Sequence, residues 1–107
     1  MTTTPQLLDA IVAAVPELEA LRVEHLAEYD ELLPHVLFGD LVRWILDHQP
    51  QPRIFQLVED AFIDGDYFTR DLIAASFVEN IEPGPEYAPL RDALGPRLRQ
   101  LWNESHA

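Results

Sequence analysis

The sequence contains no cysteine and no lysine. The first absence excludes disulfides and thiolate chemistry. The second leaves seven arginines against nineteen Asp and Glu residues, for a formal net charge of −12. Only four glycines occur, scattered along the chain, so no glycine-rich phosphate cradle can form. The only serines, Ser76 and Ser105, sit in no strand–turn–helix elbow of the kind that exposes a nucleophile. Apolar runs are short: HVLFGDLVRWIL at 35–46 is already broken by Asp40 and Arg43, so no segment is expected to span a bilayer. MTTTPQLLDA lacks the positive start and apolar core of a signal peptide, and the expectation is a cytoplasmic protein.

What is present is enough apolar material to fold. At 107 residues and 48% hydrophobic, the chain fits one domain, 1–107, with residues 1–4 and 104–107 expected to fray. A domain of this size buries about two-thirds of the surface its unfolded chain exposes. Prolines punctuate the sequence, and the intervals between them repeat with helical period. Thr4-Pro5 reads as an N-cap and first helical residue, followed by Leu7, Leu8, Ile11, Val12 and Val15. From Pro16 to Tyr29, Leu18, Leu21, Leu26 and Tyr29 form an inward set among Glu17, Glu19, Glu24 and Glu28. Pro34 to His48 is apolar almost all round and is the expected central helix, with Gly39 permitting a close approach and Gln49-Pro50-Gln51-Pro52 as the stop.

A fourth helix is expected from Arg53 to Ile63 and a fifth from Tyr67 to Ile81, with Phe62 and Phe68 inward. PGPEYAP at 83–89 is a turn that proline keeps from becoming helix, and two short helices follow, split at Gly95-Pro96. The expected architecture is all-α: a compact bundle of about six helices in antiparallel hairpins, with solenoid-like pairs but no sequence repeat.

No constellation of residues carries catalytic or metal chemistry. With Gly65 at the sixth position of a calcium loop, Asp60, Phe62 and Asp64 fall at positions one, three and five, and Asp71 at twelve. Phenylalanine has no oxygen to offer, and the stretch explains itself as a joint, with Gly65 a left-handed helix cap and Asp66 the next N-cap. The histidines do not converge: His25–Glu28 and Glu31–His35 are common helix-surface spacings. The expectation is no enzyme, no cofactor and no metal. Asp40, Arg43 and Glu79, set inside apolar segments, read as polar ties that lock hairpins in register, so that Arg43→Met is expected to lower stability.

The charge points to a partner class. Residues 1–50 hold nine acids and two arginines, net −7; residues 51–82 hold seven and two, net −5; the remainder is neutral. Binding nucleic acid or an anionic membrane requires cations that this chain lacks. A basic protein would be attracted across a Debye length of about 8 Å at physiological salt. The candidate contact residues are Glu24, Glu28, Asp30 and Glu31, with Glu59, Asp60, Asp64 and Asp66 around the fourth joint as a second set. Monomer or weak homodimer is the expected state.

ELLPHVLFGDLVRW (31–44) and DLIAASFVENI (71–81) resemble strings in a group of short, largely uncharacterised bacterial all-helical proteins. The likeness runs in order through most of residues 17–102: Leu-Pro-His, then Gly-Asp and tryptophan, then Ser-Phe-Val-Glu-Asn. It implies an all-helical fold and no catalytic residues. By likeness of style it implies an immunity protein that shields its host by covering a basic toxin's active site. A helical adaptor or self-associating scaffold is the alternative, and an enzyme or metal-binding domain ranks third.

Overall fold

The computed structural model describes residues 1–49 and 51–106. Among these described residues seven α-helices follow one another: α1 Thr4–Ala14, α2 Leu18–Tyr29, α3 Pro34–His48, α4 Pro52–Asp64, α5 Tyr67–Leu72, α6 Ala88–Ala93 and α7 Pro96–Ser105. A π-helical segment, Ile73–Val78, continues α5, and a 3-10 turn, Pro85–Tyr87, precedes α6. The fold is an all-α bundle, as the periodicity requires. Five of the seven helices carry proline at the first or second position, where its missing N–H is no loss. Pro50, part of the expected stop after α3, lies outside the described residues, as does Ala107.

The N-cap of α1 is Thr3, one residue earlier than the sequence suggests. Its hydroxyl accepts from the Gln6 amide while the Gln6 side chain accepts from the Thr3 amide, a reciprocal capping box. Thr4 is thereby the first helical residue, buried and hydrogen-bonded hydroxyl to hydroxyl with Thr69 at 2.9 Å. The residues ahead of α1 also make contacts with the rest of the fold. Thr2 forms a parallel bridge with Gly65, its amide donating to Asp64 and its carbonyl accepting from Asp66, both at 3.0 Å.

The core is built where α4 packs against α1, α5 and α7, and α3 against the π segment. The expected central helix, α3, therefore shares the middle with α4. Phe38 and Ile45 of α3, Ile54 and Val58 of α4, and Phe77 of the π segment are fully enclosed. Phe55 meets Phe77 edge-on, with ring centroids 5.5 Å apart.

The fifth helix departs from the simple period. After Leu72 the turns widen to five-residue hydrogen bonds, ending with Glu79 N–H to the Ala74 carbonyl at 3.2 Å. Widening lets Ser76, Phe77 and Val78 all turn inward. The polar groups this buries are met: His35 Nδ1 pairs with the Ser76 hydroxyl, and Asn80 Nδ2 donates to the Ser76 carbonyl at 2.8 Å. Ile81 is buried as expected, and its carbonyl accepts from Trp102 Nε1 at 2.6 Å, which ties α7 to the exit of the π segment.

Three sequence expectations are corrected here. Phe68 faces outward and is 52% exposed, because it follows Asp66 and Tyr67 in the first turn of α5, where Thr69 and Leu72 take the inward side. Asp40 and Arg43 do pair, but along the outside of α3, where the Arg43 side chain is two-thirds exposed; they lock no hairpins. Glu79 is exposed at the end of the π segment and makes no tie among the described residues.

Candidate docking surface

Helix α2 and the turn after it present the first of the two acidic sets. Its inward line is Leu18, Leu21 and His25, not Leu18, Leu21, Leu26 and Tyr29. His25 is buried, and its Nε2 accepts the Leu33 amide at 2.9 Å. That bond fixes the tautomer: the proton sits on Nδ1, which is buried without a hydrogen-bond partner among the described residues. Tyr29 covers the ring, with centroids 4.9 Å apart.

With His25 turned in, the helix rotates Val23 and Leu26 outward, to 55% and 42% exposure. Glu24 and Glu28 lie exposed on the same helix. Asp30 ends it in the left-handed conformation, φ 61°, its amide donating to the Leu26 carbonyl, and Glu31 follows, exposed. Asp tolerates that conformation better than most residues. Among the described residues the ion pairs are Arg22 with Asp9 and Glu19, and Arg43 with Asp40. Glu24 and Glu28, one turn apart on α2, and Asp30 and Glu31 in the turn after it are therefore all exposed with no ion pair among the described residues.

The second acidic set comes apart. Glu59 is 5% exposed, and its two oxygens accept the amides of Arg97 and Leu98 at 2.9 and 3.0 Å. It caps α7 from another helix and leaves the exposed contact set. The fit is tight: a β-carbon on Gly95 would lie 2.7 Å from the Glu59 carboxyl carbon. Asp60 is exposed and accepts from Gln56 one turn back. Asp64 faces the N-terminal strap, accepting from the Thr2 hydroxyl at 3.3 Å. Asp66 caps α5 by accepting the Thr69 amide at 2.8 Å. The Thr69 hydroxyl and amide hold its carboxyl below the ordinary value, since both favour the ionised form.

Gly65 is not the left-handed cap expected at this joint. Its φ is −76°, in the extended region. Glycine is required there for space: a β-carbon would overlap the Ala61 carbonyl oxygen.

An uncharacterised family, the domain of unknown function DUF7674, covers residues 8–107. The chain belongs to the DUF7674 family. No curated protein and no solved structure matches the chain. The DUF7674 match spans all of α2 and both acidic sets, so these surfaces lie inside the family domain and not on an appendage. Among the described residues, no three His, Asp or Glu side chains converge as metal ligands, and no helix is long and apolar enough to cross a membrane.

One signal for the role of Glu59 was present in the sequence. A helix opening Gly95-Pro96-Arg97 brings no capping side chain of its own, so its amides need an acceptor from elsewhere. Glu59 also stands four residues after Phe55, on the inward side of α4. The outward turn of Val23 and Leu26 had no comparable signal, because choosing between the two faces of α2 depends on His25 finding the Leu33 amide.

Proposed function

We propose that this protein is a docking module that binds a basic protein through the outer face of α2 and the turn after it. One observation carries the reading: α2 and the turn after it expose Val23 and Leu26 as well as Glu24, Glu28, Asp30 and Glu31, and none of these carboxylates has a cation of its own among the described residues. Aliphatic contact supplies affinity, about 1.5–3 kcal/mol for each side chain fully buried. The carboxylates steer encounter and select the sign of the partner.

The disposition of the arginines supports it. Arg22 and Arg43 are in ion pairs, Arg70 lies over the Phe62 ring, and Arg91 and Arg99 donate to backbone carbonyls. Most of the positive charge is thus committed internally, and the acidic excess faces solvent. The specific form we favour is an immunity protein that occludes the cationic active site of a toxin. The test is to mix the protein with the product of the neighbouring gene. A basic toxin domain that co-elutes with this chain, and whose toxicity is suppressed by it, is the expected result. A neighbour that is not basic, or that does not bind, counts against it.

A second reading, a self-associating scaffold, is favoured by Tyr67 and Phe68, 88% and 52% exposed at the start of α5. Sedimentation of the pure protein separates the two: the docking reading expects a monomer at micromolar concentration.

A further inference from the structure

A groove of about 530 Å³ runs along α4, outside the α2 surface. Phe55, Glu59, Asp60 and Ile63 line it from the helix, and Gly95 and Pro96 close the opposite wall. Its chemistry is divided. Ile63, 55% exposed, and Pro96 contribute apolar lining, and Glu59 and Asp60 contribute carboxylates. Among the described residues Glu59 has its charge answered only by the two amides that open α7. Asp60 on the wall has one oxygen on Gln56 and no partner for the other among the described residues. No arginine pairs with either carboxylate among the described residues. Two adjacent acids, one nearly enclosed, in a half-apolar groove make a negative site with no arginine counter-ion among the described residues.

We propose that this groove receives an arginine side chain presented by a basic polypeptide. The guanidinium would meet the free oxygen of Asp60, with the charge of Glu59 behind it, and the aliphatic stem would lie against Ile63 and Pro96. Arginine suits the site better than lysine because its planar, weakly hydrated fork leaves water more readily and can face a carboxylate with two N–H groups. The groove is larger than one side chain, which leaves room for an apolar neighbour on the same strand. The inference stands apart from the α2 reading and shares with it only the sign of the partner.

The test is a titration of the ¹⁵N-labelled full chain, at low salt, with the peptide acetyl-Leu-Arg-Leu-amide and with its citrulline counterpart, which keeps the shape and removes the charge. The arginine peptide is expected to shift the amides of Arg97 and Leu98 saturably, and the citrulline peptide to bind at least about tenfold more weakly. Asp60→Asn is expected to reduce affinity about fivefold while leaving the remaining spectrum unchanged. Glu59 is left intact in this test because it holds α7. Glu24→Lys with Glu28→Lys should leave the groove shifts in place. Absence of saturable shifts, equal binding of the two peptides, shifts confined to α2, or an Asp60→Asn variant that binds as wild type would each overturn the assignment.

Discussion

Glu59 and Asp60 are neighbours in sequence and do unrelated work. Glu59 is folded into the protein, its carboxylate accepting the first amides of α7 from another helix; Asp60 remains at the surface. Glu59→Gln keeps the shape but replaces one acceptor oxygen with a donor facing the α7 amides. It is expected to lower stability by about 1–3 kcal/mol, read from urea unfolding. An unchanged midpoint would mean the carboxylate does not hold the helix. Gly39 gives the opposite case. A β-carbon there would lie 3.6 Å from Asn80 Nδ2 and 3.9 Å from Arg43 Nη1, which is ordinary contact. The close approach expected at this glycine is not needed, and Gly39→Ala is predicted to stabilise by up to about 1 kcal/mol, also by urea unfolding. Arg43→Met, expected from sequence to destabilise, should instead change stability by less than about 0.5 kcal/mol, since an exposed pair contributes little. The residue types were plain in the sequence. Their environments were not, because a carboxylate one position along a helix changes from solvent to core.

At the scale of elements, helix boundaries were legible because proline and the capping residues mark them locally. The π segment was not, since it depends on distant groups: His35 and Asn80 satisfy Ser76, and Trp102 holds the exit at Ile81. The N-terminal strap was hidden for the same reason. Its partners, Asp64 to Thr69, lie some sixty residues away. Thr4→Val keeps the volume but leaves the Thr69 hydroxyl without its buried partner, at an expected cost of about 1–2 kcal/mol by thermal unfolding. The joint at Asp66 adds a pH dependence. Its carboxyl titrates lower in the fold than in the unfolded chain, where the ordinary value is 3.8. Its contribution is therefore complete above that value and is lost as pH falls through the lower folded value. Melting curves between about pH 2 and 6 should show Asp66→Asn destabilised at the upper end and converging on wild type at the lower end. A difference constant with pH would contradict the cap.

For the whole molecule, charge was the most legible property, and it narrows the partner more than the fold does. The Cα radius of gyration, 12.9 Å, is that of one compact domain of this length. Inside it five of the seven arginines are drawn into local ties, while Glu24 and Glu28 of α2 are left outward. The sequence offered two acidic sets without ranking them. The fold ranks them, because the second set is largely absorbed by α7, the strap and the α5 cap. What sequence could not reveal was the apolar companion, Val23 and Leu26, exposed by the turn of one helix face. The most direct test of the proposed α2 docking is the affinity for the product of the neighbouring gene, measured by calorimetry at two salt concentrations. Glu24→Lys with Glu28→Lys should melt as wild type and bind about 30-fold or more weakly, and wild-type affinity should fall as salt rises. Affinity unchanged by the reversal, or indifferent to salt, would contradict the account.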